Sequence, residues 1–220
     1  MEKQNVRAVF EKTGRAAYIS HLDLMRAIQR AVSRAQLPLW YTQGFNPHVY
    51  INLPLALPLG IGSVCEIMDF ALTENSELEE IITRLNQTLP EGIKFLRAAA
   101  PKRNIKEIIA AEYEAEFYAQ GEENILARFN AMLEADKIEV MKRTKKKGAV
   151  LTDIKPYMNI EEAAMDGGVL KIRLTLPAGT DFNIGAWLFT DAFSAFCGVN
   201  FVKISIIRTK LLGADRVNFV

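Results

Sequence analysis

The chain has 220 residues, half of them hydrophobic and 24% charged, with a formal net charge of +1. That length fits one large domain or two of about 100 residues each, and the composition excludes a disordered or fibrous chain. A net charge so near zero also excludes a global field that would draw in nucleic acid, so any such contact must be local.

No apolar stretch approaches the roughly 20 uninterrupted residues that cross a bilayer; Ile51–Ile61 is broken by Asn52, Pro54, Pro58 and Gly60. The opening Met1-Glu2-Lys3-Gln4 has no signal-peptide apolar region, and a cytoplasmic location without membrane contact is expected. Cys65 and Cys197 stand far apart among apolar residues and read as two buried structural thiols. Together with His21 and His48 they are too few for an iron–sulfur cluster held by three or four cysteines. A zinc site would need nearly all four residues or added carboxylates. The expected cofactor set is empty.

In chain order, Asn5–Thr13 alternates as a half-buried strand. Ser20 then offers an N-cap oxygen, with Asp23 three residues on, to a helix over His21–Gln36. Leu39–Thr42 reads as a short strand, Gln43–Pro47 as a turn, Val64–Leu72 as a strand, Asn75–Leu89 as a helix and Gly92–Ala99 as a strand. The second half repeats this order. Ala111–Tyr118 is a strand, Glu122–Ala135 a helix and Ile138–Arg143 a strand followed by a basic loop. Asp153–Tyr157 reads as a short extra strand, Val169–Leu176 as a strand, Asn183–Phe196 as an apolar helix and Phe201–Leu212 as the last strand. The expectation is an α+β protein of two ferredoxin-like (βαββαβ) domains in tandem, 1–100 and 110–220, joined by a linker at 101–109. In such units helices cover one sheet face, and the uncovered face often serves RNA binding or domain pairing.

The run Tyr18-Ile19-Ser20-His21-Leu22-Asp23-Leu24-Met25-Arg26 is followed by Gly44-Phe45-Asn46-Pro47-His48, Ala56-Leu57-Pro58-Leu59-Gly60 and Cys65-Glu66-Ile67-Met68-Asp69. Together these resemble the radical SAM-linked protein family of bacteria, whose members are similar to the C-terminal extension of B12-binding-type radical SAM proteins. In the second half the resemblance rests on the basic loop and Asp153-Ile154-Lys155-Pro156-Tyr157. It implies association with a radical SAM enzyme. This chain lacks the cysteines for that chemistry, so the radical enzyme would be a partner.

Charge is unevenly spread. The first 34 residues carry seven Lys/Arg against three acids, and Lys142–Lys147 holds five bases in six residues. Arg26, Arg30 and Arg34, four apart, form one stripe on the first helix, which Arg15 extends from the preceding loop. Each guanidinium can hold a phosphate with two donors. Lys142, Arg143, Lys145, Lys146 and Lys147 repel one another unless an anion neutralises them, which makes them the strongest phosphate-contact candidates. Tyr41, Phe45 and Tyr50 are candidates to stack bases, although Phe45 reads more naturally as core.

His21, in a helix first turn, suits either a phosphate contact or a general base, or else a structural bond to the Gly44–His48 loop. Joined by His48 and by Glu66 or Asp69 it would make a metal or acid–base site. Ser20, Asp23, Gly44, Asn46, Pro47, Glu66 and Asp69 complete the motif surface.

The leading expectation is an accessory module that binds tRNA or rRNA and presents it to a radical SAM partner. One alternative is a protein–protein adaptor docking through Gly44–Asp69. Another is a metal-independent endoribonuclease with His21 as base, since paired ferredoxin-like domains resemble those of CRISPR repeat-processing nucleases. The glycine-rich loop expected near the end of those proteins has only Leu212-Gly213-Ala214 as a substitute.

Overall fold

A computed structural model describes residues 3–118, 124–144 and 148–219. The chain divides into two compact units, 1–107 with 219–220, and 108–218. Both mix helices with antiparallel sheet, giving an α+β protein with four α-helices among the described residues. None of these helices is long and apolar enough to cross a membrane.

In the first unit, β1 (Gln4–Lys12) leads into α1 (His21–Arg34), then β2 (Ile51–Asn52), β3 (Ile61–Leu72), α2 (Leu78–Asn86) and β4 (Ile93–Ala99). The sheet runs β4-β1-β3-β2, every neighbour antiparallel. The period-2 alternation of β1 sends Val6, Ala8 and Phe10 to the helix side, where they meet Leu24, Ile28, Ala31 and Val32 of α1. Phe10 stacks on Phe95 of β4 at 5.0 Å. The strand expected at Leu39–Thr42 is reduced to single bridges, Leu39 to Leu72 and Tyr41 to Val49. The paired strand at that position is β2, Ile51 opposite Phe70 and Asn52 opposite Asp69.

In the second unit, β5 (Ile108–Tyr118) is followed by α3 (Ile125–Glu134), the hairpin β6 (Glu139–Thr144) and β7 (Gly148–Asp153), then β8 (Asn159–Asp166), β9 (Val169–Pro177), α4 (Ala186–Cys197) and β10 (Lys203–Gly213). Its sheet runs β10-β5-β9-β8, all antiparallel. Phe117, Phe129, Phe189 and Phe193 fill the core in edge-to-face contacts, Phe117 and Phe193 at 4.9 Å. Two expectations fail here. The strand near Ile138 pairs only within the β6–β7 hairpin, and the sheet position expected for it is taken by β8. Asp153–Tyr157 is the end of β7 and a 3₁₀ turn rather than a strand. Cys65 is buried, but Cys197, in the last turn of α4, is partly exposed and not the second buried thiol expected.

The uncovered face of the second sheet is a charge ladder. Register sets Glu114 opposite Arg173 and Glu116 opposite Lys171, with Glu162 opposite Arg173 on the far side. Arg173 pairs with Glu161 at 3.3 Å and Glu162 at 2.9 Å, and Lys171 with Asp166 at 2.6 Å. Its cations are thus already neutralised by carboxylates, an unfavourable platform for a phosphate backbone.

Candidate nucleic-acid interface

The first helix begins where the sequence places it. The Ser20 hydroxyl accepts from the Asp23 N–H at 3.1 Å and donates to the Asp23 carboxylate at 2.7 Å. That reciprocal cap accounts for both motif residues structurally. Leu24, Ile28, Ala31 and Val32 bury one face, and the opposite face carries Arg26, Arg30 and Arg34, all exposed. With Gln29 and Ser33 these three arginines line a shallow depression; Arg15, exposed on the turn before the helix, is not part of it.

The three are not equivalent. Arg26 lies 3.5 Å from the capping Asp23, both largely exposed, a pair worth little in water. Arg34 donates to the Thr88 carbonyl, and Arg84 donates to the carbonyls of Ala35 and Gln36 at 2.6 and 2.7 Å. Arg84 thus closes the C-terminal end of α1, and Arg34 ties that end to the loop after α2. Arg30 has no hydrogen-bonding or acidic partner among the described residues. No sequence signal marks Arg84, because only the fold brings α2 beside the end of α1.

In the second unit the Lys142 ammonium donates to the Asn183 carbonyl at 2.6 Å and sits 4.9 Å over the Phe182 ring. It is tied to the loop before α4, whereas Arg143 is exposed. Lys145, Lys146 and Lys147 lie outside the described residues. At the base of the hairpin, Asp153 accepts the backbone N–H groups of Ile138 and Lys155, each at 3.0 Å. The Ile138 bond is the main cause of a carboxyl pKa held below its usual value.

His21 and His48 sit on different elements, the first turn of α1 and the Thr42–His48 loop. His21 is exposed in the first turn of α1. His48 closes its own loop: its Nδ1 is 3.1 Å from both the Asn46 carbonyl and the Thr42 hydroxyl, and Thr42 and His48 pair through their backbones at 2.8 Å. No hydrogen bond joins the two rings among the described residues. Asp69 is engaged elsewhere, receiving Nε and Nη2 of Arg7 at 2.7 and 2.8 Å while Nη1 reaches the Arg103 carbonyl at 2.8 Å. Glu66 is buried on β3. No group of three His, Cys, Asp or Glu is placed to hold a metal among the described residues.

Phe45 departs furthest from expectation. It is fully exposed at the tip of the Thr42–His48 loop, because Gly44, at φ 146°, turns the chain outward and the loop's own bonds hold it there. Asn46 and Pro47 after it are likewise exposed. Tyr41 is half exposed, while Tyr50 packs edge-on against Trp40 with the Lys3 ammonium over both rings.

No curated protein matches the chain in sequence. Among solved structures, it is similar to a chain in a crystal structure of a Cbf5–Nop10–Gar1 complex at 15% identity and a TM-score of 0.50, covering 94% of this chain. It spans about half, 49%, of that chain's length. An unknown protein from Galdieria sulphuraria aligns over 94% of this chain and 99% of its own at 13% identity and a TM-score of 0.29. The first likeness bears on the α+β fold alone. The family pattern matches residues 5–184, and the chain belongs to the family described as an uncharacterized protein conserved in bacteria (DUF2344).

Proposed function

We propose that this chain is an RNA-binding accessory protein that holds tRNA or rRNA for a radical SAM partner enzyme. The observation that carries the RNA reading is the α1 row, three exposed guanidiniums along one helix face with Arg30 unpaired among the described residues. Such a row gives each arginine a two-donor grip on a phosphate. Exposed Arg143, beside the basic run Lys145–Lys147, supplies a second phosphate contact. The partner rests on the resemblance of the Tyr18–Arg26 and Gly44–Asp69 motifs to the radical SAM-linked family. We also read each unit, with strand order 4-1-3-2 counting the four sheet strands along the chain, as a ferredoxin-like domain.

A second reading has one observation in its favour. Phe45, wholly exposed on a loop braced by Thr42 and His48, has the form of a protein-docking anchor. Co-purification of the tagged chain with and without nuclease separates the two. The RNA reading predicts a defined RNA in the eluate and loss of the enzyme after nuclease. Recovery of the enzyme unchanged by nuclease, with no RNA, would overturn it in favour of the adaptor.

A further inference from the structure

A cavity of about 740 Å³ in the second unit has no part in the basic row or the hairpin. Its floor is the end of the sheet, one wall is the turn that precedes β8, and the other is the turn that follows β10. A cavity of that size suits one small organic molecule.

Its charges are sorted. Glu112, nearly buried on β5, accepts from Lys210 at 3.0 Å and Thr209 at 2.9 Å. Burial raises the Glu112 pKa, but the Lys210 and Thr209 bonds outweigh it and leave it below the usual value. Glu161 accepts from Thr175 at 2.6 Å and faces Arg173 at 3.3 Å. Both carboxylates are therefore satisfied within the fold. Arg216 is different: its guanidinium has no acidic or hydrogen-bonding partner among the described residues. Its backbone is left-handed, φ 57°, in a turn closed by the Arg216 N–H to Gly213 carbonyl bond at 2.9 Å.

The opposite wall offers an apolar and aromatic surface. Tyr157, about half exposed, lines the cavity with Met158, its ring tilted against Phe182 at 5.0 Å, and Ile109 at the start of β5, also about half exposed, lines it from the sheet end. Asn159, whose amide carries two donors and an acceptor, stands beside them. One unpaired cation, an apolar and aromatic lining and an amide edge are complementary to a phosphate, a planar ring and the polar edge of that ring.

We infer that this cavity binds a single nucleotide unit, with its phosphate on Arg216 and its base against Tyr157 and Ile109 beside Asn159. The inference deepens the RNA reading by giving the bound strand one extruded nucleotide, and the same chemistry would take a free nucleoside monophosphate.

The test is methyl NMR of the full chain labelled at methionine, with Met158 assigned through Met158→Leu. UMP and AMP are the probes, and uridine, adenosine and inorganic phosphate are the controls. UMP or AMP should shift Met158, and Arg216→Asn should weaken the affinity about tenfold. Asparagine tolerates the left-handed backbone, so this variant removes the cation without unfolding the turn. A shift of Met158 by inorganic phosphate alone to the same extent, or no shift with any nucleotide at millimolar concentration, would overturn the inference. RNA binding is read separately on the same samples. If RNA binds through Arg26 and Arg30 while Met158 stays unmoved, the pocket inference fails and the RNA reading stands. If nucleotides shift Met158 and no RNA binds, the RNA reading fails and the pocket is a free-nucleotide site.

Discussion

Arg7 and Asp69 show how a residue pair escapes a reading by sequence. They are separated by 62 positions, yet register places them opposite each other on β1 and β3, and the guanidinium grips the carboxylate with two bonds. Asp69 read as a motif-surface or acid–base candidate because a strand carboxylate has no visible partner until strands are paired. Its environment is structural. Glu112 is legible in the same partial way: alternation along β5 sends it outward, but its partners Thr209 and Lys210 lie almost a hundred residues away. Because its folded pKa is depressed, it contributes stability that is fully present above the unfolded value of about 4.3 and is lost as pH falls through the lower folded value. Glu112→Gln should therefore flatten the acid limb of the stability curve below about pH 5, measured as Tm against pH by calorimetry. An acid limb as steep as that of the unaltered protein would rule out this role.

Elements were legible where period and caps agree. The first helix shows both, with Ser20 and Asp23 at its start and an i, i+4 apolar stripe along it, and the structure reproduces it within two residues at its C-terminal end. The strand β8 shows neither. Its sequence, Asn-Ile-Glu-Glu-Ala-Ala-Met-Asp, favours helix on propensity and alternates poorly, and only pairing with β9 makes it a strand. Phe45 departs from expectation because an aromatic between Gly44 and Asn46-Pro47 carries no mark of whether it faces in or out. One turn has a sharp requirement. Gly92, at φ 84°, brings the chain so close to the Thr13 carbonyl that an added Cβ would lie 2.5 Å from that oxygen. Gly92→Ala should cost about 2 kcal/mol or more, combining a left-handed backbone with displacement of the Thr13–Gly92 hydrogen bond. Urea denaturation reads this directly, and a loss under about 0.5 kcal/mol, the scale of an ordinary surface substitution, would show that the turn relaxes at no cost.

At the scale of the molecule, near-neutral composition conceals a division of charge. The open face of the second sheet pairs its cations with carboxylates, while one face of α1 in the first unit presents arginines to solvent. The sequence located the arginine row; it could not show that the sheet face, the first place to look in such a fold, is acid-laced. RNA contact through α1 should therefore be electrostatic and local. The most direct measurement is the salt dependence of RNA affinity for the unaltered chain and for the double variant Arg26→Ala, Arg30→Ala, with Arg34 left in place because it holds the Thr88 carbonyl. The affinity of the unaltered chain should fall steeply as salt rises from 50 to 200 mM, and the variant should bind more weakly with a log–log slope flatter by about 1.4 for single-stranded RNA, two phosphate contacts fewer. No binding at any salt, or a variant with unchanged affinity and slope, would contradict the account.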